Sequence, residues 1–401
     1  MNLHSVYAYS PLKYGILKGY PSLDHDENAE VVVLGSGITG ALVAYYLCHA
    51  GFKVITVDKR RVAQGSTAAS TSLLQYELDV PLHKLINLVG EKSAIRSYEL
   101  CVEAIDSLEK LSRHLVYDAE FKFRPSFQFA SYKKDVQGLK LEFNLRKQHR
   151  ISTLHWLEQD EILEKFKFAA PSGILSENGA EVNAYCMAHG LLASSINAGL
   201  KVYDRTEVIK IRHHKNTVDL FLQNGRKIIA KKLIICCGYE SQHYLPEPVE
   251  QQNSTYAIIS EPFAKTDFWY ENSLIWETAI PYLYIRTTSD NRILVGGKDD
   301  EFYKPMERDA KILHKQKLLV KAFGKLFPDI QFKTDFAWAG TFCGTKDGLP
   351  YIGSVPQRSN TIFALGFGGN GITFSLIAAK MIRDLLVDRV NKDMSIFSFA
   401  R

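Results

Sequence analysis

The chain has 401 residues, 46% of them hydrophobic and 23% charged, the make-up of a globular protein long enough to hold two or more domains around a large core. Its 49 basic and 44 acidic residues leave a net charge of +5, too slight an excess for a nucleic-acid-binding face. No segment approaches the roughly 18 uninterrupted apolar residues of a membrane span, and Met1-Asn-Leu-His-Ser-Val-Tyr7 lacks a signal-peptide pattern, so a cytoplasmic protein without membrane contact is expected. Six scattered cysteines form no C-x-x-C pair and no zinc-like cluster with histidine, which predicts reduced thiols and no metal site.

Residues 1–29 read as a polar arm. Then Glu30-Val-Val-Val-Leu34 is an apolar strand, Gly35-Ser-Gly37-Ile38-Thr39-Gly40 a glycine-rich turn, and the residues beyond it a helix. Gly35 permits a tight exit from the strand, Gly37 a close backbone approach to a pyrophosphate, and Gly40 close packing of helix on sheet. A G-x-G-x-x-G run alone is weak, but its flanks agree. Lys53–Asp58 is a second buried strand whose terminal acid falls 23 residues after Gly35, close to the roughly 20 expected of a ribose-binding carboxylate. The turn therefore predicts a dinucleotide. Gly65-Ser66-Thr67-Ala68-Ala69-Ser70-Thr71 is small enough for a planar ligand to lie on its backbone.

Residues 91–115 carry a helical apolar face, strands follow near 121–130, and a basic polar segment runs to His149. A helix at 184–198 leads to strands at 201–203, 206–212 and 218–222, an Asn224-Gly225 hairpin turn, and a strand at 232–237 ended by Gly238. Residues 250–335 read as largely antiparallel, with strands at 282–287 and 292–297 and a lysine-rich, solvated helix at 308–327. Near the end, Gly366-Phe-Gly368-Gly369-Asn370-Gly371-Ile372-Thr373 joins a strand to a helix. Its backbone N–H groups can face charge that develops on a bound ring system.

The ordered set of these motifs, with Thr206-Glu-Val208, Cys237-Gly238, Gly340 and Asp347-Gly-Leu-Pro350, resembles the FAD-dependent amino-acid and amine oxidoreductases related to D-amino-acid oxidase, glycine oxidase and sarcosine oxidase. The likeness runs over nearly the whole chain. It implies an α/β fold with a Rossmann-like FAD domain of the glutathione-reductase type (1–80, 155–250 and 335–401) and an antiparallel α+β substrate domain (81–154 and 251–334). It further implies that Gly35, Gly37, Ile38, Thr39 and Gly40 hold the pyrophosphate, Asp58 the ribose, and Lys59, Arg60 and the Val208 backbone the adenine side. Gly65, Ser66, Thr67, Ala69, Ser70 and Thr71 would line the ribityl chain and ring. Cys237, Gly238, Gly340, Asp347 and Gly368 to Thr373 (with Gly369, Asn370, Gly371 and Ile372) would complete the flavin site.

The reaction implied is oxidation of a C–N bond by hydride transfer to flavin N5, giving an imine that hydrolyses, with oxygen or another electron acceptor taking the electrons. For the substrate, Arg286 is the candidate carboxylate anchor, Tyr256, Tyr282 and Tyr284 a candidate wall, and Lys298 the cation nearest to the position of an oxygen-activating lysine. The sequence departs from glycine-oxidase-like members at Gly340-Thr-Phe342-Cys343, which lacks their Gly-x-Arg-Pro, and at Gly369, where they can present another arginine. Both departures remove carboxylate partners, so a simple D-amino acid or glycine is in question and a larger amine or a differently anchored amino acid is open. Cys343 resembles a flavin-tethering cysteine but lies close to Asp347. The competing readings are a nicotinamide-dependent dehydrogenase, which leaves the second glycine block unexplained, and a flavin-binding module without turnover.

Overall fold

The structure is a computed structural model that describes residues 2–5, 8–264, 267–302, 304–356 and 358–401. Two sheets organise it. In the first, strands run in the order 351–353, 361–365, 227–235, 27–34, 54–57, 201–203. All neighbours are parallel except the edge pair Tyr351–Gly353 and Thr361–Leu365. The central strand Glu27–Leu34 ends in four fully buried residues, as expected of a strand covered on both faces. The helices Ile38–His49, Ala184–Ser195 and Gly371–Leu386 pack on one face, where Leu42, Leu191, Leu376 and Ile377 share a core. The hairpin of Val208–His213 and Val218–Leu222 extends antiparallel from Lys227–Ile235 and closes the other face with Val218, Leu220 and Ile228.

The second sheet runs 334–344, 251–260, 293–301, 283–287, 274–277, 122–129, 172–181, 73–75, with 154–158 added beside 172–181. It is antiparallel apart from the pairing of Leu274–Glu277 with Lys122–Phe129. One face buries Tyr256, Ile258, Ile285, Ile293 and Val295 against Leu319 and Phe323 of the helix Ile312–Leu326. The opposite face, with Ala257, Ile259, Leu294 and Trp338, looks toward the first sheet's glycine-rich turns.

The strands Leu73–Gln75, Leu154–Glu158, Ser172–Glu181 and Thr334–Gly344 all pair in this second sheet, although the expected division gave 1–80, 155–250 and 335–401 to the FAD domain. Alternation reveals a strand but not which sheet its backbone will pair with. The segment before His149 is also more than a polar connection: Val136–Gln148 is a helix. The described residues contain no helix long and apolar enough to cross a membrane.

Candidate active site

The two glycine-rich turns meet at the carboxyl ends of the parallel strands, where ligands bind in open α/β sheets. Gly35 leaves its strand at φ +111°, donating its N–H to Val57 O at 2.8 Å, and a Cβ there would sit 2.4 Å from Cys236 O. A Cβ on Gly40 would lie only 1.9 Å from Gly35 O. Helix and strand therefore touch through bare backbone. Gly37 starts the helix without a side-chain cap, and Thr67 Oγ1 accepts from Ile38 N at 2.9 Å while standing 2.9 Å from where a Gly37 Cβ would be.

An elongated cleft with about 1120 Å³ of empty space, its open mouth included, runs from this turn along the sheet edge. Gly35, Gly37, Ile38, Thr39, Asp58, Lys59, Arg60, Gly65, Ser66, Thr67, Ser70, Val208, Cys237 and Gly238 all line it. Gly40 lies behind the turn, holding the helix in place. Asp58 Oδ2 accepts from Ser36 N at 2.8 Å and Ser36 Oγ at 2.9 Å, and Oδ1 from Arg60 N at 2.8 Å. Burial raises its pKa against these opposing hydrogen bonds.

The cleft also has a carboxylate that the motifs do not reveal. The 3₁₀ turn Gly238–Tyr244 carries Glu240 beneath Lys59 and Arg60, at 2.8 and 2.9 Å. Burial opposes its ionisation, but hydrogen bonds from Arg60 and Lys59 prevail and hold its carboxyl at about 2. Tyr239, His243 and Tyr244 from the same turn complete this wall.

A second cavity, with about 940 Å³ of empty space, its open mouth included, adjoins the first and shares Ser66, Ser70, Tyr239, Gly371 and Ile372 with it. Ala69, Thr71, Gly340, Gly368, Gly369 and Tyr284 line it, with Tyr282, Trp338, Phe342 and Asp299. Asp79 fastens its rim, accepting from Gly369 N at 2.8 Å and from Tyr282 Oη at 3.1 Å. Trp338 Nε1 donates to Ala69 O at 2.9 Å, which fixes the indole against the Gly65–Thr71 loop. Tyr284 lies flat on Gly296, where a Cβ would come within 2.2 Å of the ring.

Several expected residues lie elsewhere. Arg286 donates to Thr71 O at 2.6 Å and Thr287 O at 2.8 Å and stands 3.5 Å from Glu181, so it braces the loop rather than facing the cavity. Tyr256 points to the opposite face of its sheet, under the Lys315 ammonium. Lys298 does not line the cavity; it sits at φ +57° in a bulge, its carbonyl accepting from Lys315 Nζ at 2.6 Å. Asp347 is engaged by Arg401 at 2.8 and 3.0 Å and faces neither cavity. Asn370 donates to Gln75 O and Glu77 O, and Thr373 to Asn370 O, so both side chains brace the second glycine turn from behind. Cys343 is buried outside both linings, and burial drives its thiol well above the ordinary range. It is no candidate for a flavin tether in this arrangement.

The family model for FAD dependent oxidoreductases matches residues 30–385. The chain belongs to that family. This oxidoreductase is 25% identical over 396 residues to gamma-glutamylputrescine oxidoreductase of Escherichia coli, covering 95% of this chain and 88% of that one. It is 22% identical to glycine oxidase of Bacillus subtilis, covering 91% and 95%. Among solved structures, glycine oxidase from Geobacillus kaustophilus superposes with a TM-score of 0.78 at 20% identity, covering 94% and 99%. L-amino acid deaminase from Proteus vulgaris gives a TM-score of 0.78 at 14% identity, covering 96% and 100%, a likeness of fold. FAD is the oxidoreductase's cofactor, and the first cleft suits it: Ser66 Oγ is buried there without a hydrogen-bond partner among the described residues, beside a turn that admits no side chain at Gly35.

Proposed function

We propose that this protein oxidises a C–N bond of an amine or amino acid with FAD, yielding an imine that water hydrolyses. The observation that carries the reading is the continuity of the two cavities: a groove suited to a dinucleotide opens, across Ser70, Tyr239 and Ile372, into a chamber walled by aromatic rings. The curated relatives act in the same sense by name, one on gamma-glutamylputrescine and one on glycine.

In this reading Gly35, Gly37, Ile38 and Thr39 hold the pyrophosphate with the N–H groups and positive end of the helix Ile38–His49. Asp58 takes the ribose, and Lys59, Arg60 and Val208 the adenine side. Ser66, Ser70, Gly371 and Ile372 lie where the groove enters the chamber and would border the ring system. When bound, FAD supplies the acceptor for a hydride leaving the carbon next to nitrogen. The 16-residue helix Gly371–Leu386 directs its N-terminal N–H groups at the junction, where they favour negative charge. Tyr282, Tyr284, Trp338 and Phe342 exclude water from the reacting carbon.

An anaerobic panel of amines and amino acids tests this: one compound should bleach the yellow absorbance of the purified protein, and air or an artificial acceptor should restore it. Yellow protein that no amine or amino acid bleaches would leave a flavin-binding module without turnover. The same re-oxidation separates an oxidase from a dehydrogenase.

A further inference from the structure

The walls of the inner cavity bear one kind of charge. Among the described residues lining it there is no lysine, arginine or histidine, and its single ionisable acid is Asp299. A second carboxylate, Asp79, stands at the rim, where Gly369 N and Tyr282 Oη already occupy it.

Asp299 reaches the cavity through a fault in its strand. Opposite Gln251–Ser260, the strand Ile293–Glu301 pairs Gly297 with Tyr256 and Asp300 with Ser254, so Lys298 and Asp299 together oppose Thr255 alone. This is a β-bulge, made by Gly297 at φ +127° and Lys298 at φ +57°. On the near side of the bulge, even-numbered Leu294 and Gly296 face the cavity side and odd-numbered Val295 faces the helix Ile312–Leu326. Beyond it the parity is inverted, for Asp300 turns to that helix and meets Lys311 and Lys315 at 3.0 and 2.7 Å. An unbroken strand would carry Lys298 toward the cavity; the extra residue puts Asp299 there instead.

Asp299 Oδ1 is shielded from solvent and has no hydrogen-bond partner of ordinary geometry among the described residues, although the Thr255 hydroxyl stands near enough to favour the ionised form. Burial pushes its carboxyl up to about 6, with Thr255 opposing and Asp79 reinforcing the shift. A half-buried carboxylate on a cavity wall, with a vacant acceptor, suits a cationic donor. The rings beside it suit the same guest: Tyr282 and Tyr284 stand 5.8 Å apart at 54°, with Trp338 locked on the same sheet face as Tyr284, and electron-rich ring faces attract ammonium groups. A carboxylate on the reacting carbon would instead meet Asp299 with no cation among the described wall residues to neutralise it.

We propose that the substrate is a cationic amine with no carboxylate on its reacting carbon, held through its ammonium group by Asp299 and the rings of Tyr282, Tyr284 and Trp338. The proposal rests on the C–N oxidation reading and narrows its substrate class. Before the carbon gives up its hydride, one N–H proton must leave the ammonium; the Asp299 carboxylate takes it, becoming the neutral acid as the amine lone pair is freed.

Two inert probes of similar girth, tert-butylammonium, which has no hydrogen on the carbon next to nitrogen, and pivalate, test this on the FAD-loaded protein by perturbation of the flavin absorbance and by calorimetry. Tert-butylammonium should bind saturably and pivalate more weakly by about tenfold or more, and Asp299→Asn should weaken the cation by about tenfold while retaining full FAD, the loss expected of one charge-assisted contact. Pivalate binding as tightly as the cation, or an unchanged cation affinity in an FAD-replete D299N variant, overturns the proposal. The wild-type comparison decides alone if D299N fails to fold. The turnover panel separates the two readings: amino acids bleaching the flavin faster than amines without a carboxylate would refute this inference and leave C–N oxidation standing, whereas cation binding without any bleaching would refute C–N oxidation.

Discussion

Replacing Glu240 by Gln removes the anion beneath Lys59 and Arg60 while keeping its shape. Burial alone would raise the Glu240 carboxyl, yet the hydrogen bonds from Arg60 and Lys59 bring it from 4.5 down to about 2. A carboxyl depressed in the folded state contributes stability that is complete above its unfolded value and is lost as pH falls through the folded one. At about 1.4 kcal/mol per tenfold change in acidity, the ceiling is about 3 kcal/mol at pH 6 and about half of that at pH 3. Lys59 and Arg60 retain 33% and 24% of their side-chain exposure, so solvent screening reduces the expected effect to about 2 kcal/mol at pH 6 and about 1 kcal/mol at pH 3. Urea unfolding of the FAD-free wild type and E240Q at the two pH values measures it, with equal denaturant slopes as the control for an unchanged unfolding reaction. A stability gap that is the same at both pH values, or wider in acid, would refute the charge-pair account.

Gly40→Ala should cost about 1–3 kcal/mol and yield protein that emerges from purification without yellow colour, because its Cβ would lie 1.9 Å from Gly35 O and push the helix off the turn; thermal melts and flavin absorbance read both effects. Gly296→Ala displaces only the far end of the Tyr284 ring, so melting temperature and FAD content should hold while KM for the substrate rises several-fold. Asp79→Ala removes the acceptor shared by Gly369 N–H and Tyr282 Oη; we expect a loss of about 1 kcal/mol and a changed visible circular dichroism of the bound flavin as the rim loosens.

What could be read from the sequence was the part dictated by backbone geometry. Gly35, Gly37 and Gly40 sit where a side chain cannot, and such positions announce themselves by spacing. The walls of the inner cavity were harder, because facing depends on strand register. Tyr256, Tyr284, Arg286 and Lys298 all lie on cavity-side strands, yet only Tyr284 lines the chamber. The available clue was Gly296-Gly297 followed by Lys-Asp-Asp: paired glycines inside a strand mark a bulge, and a bulge exchanges the faces beyond it. The helix Val136–Gln148 escaped for another reason. It buries Glu142 and Arg146 alongside Leu139 and Phe143, so its inward stripe does not read as apolar. Inside the protein Arg146 donates to Tyr76 Oη and Gln128 Oε1, both at 3.2 Å, and its Nε pairs with Glu142 at 3.3 Å.

The surplus residue between Gly297 and Asp300 ties two properties to one count. The same sequence run through without the bulge would bring Lys298 to the chamber in place of Asp299 and, in the same stroke, swing Asp300 away from Lys311 and Lys315, unmooring the helix that roofs the far side. Guest polarity and helix anchorage are thus set jointly by one kink in the ladder, which Gly297 at φ +127° and Lys298 at φ +57° make.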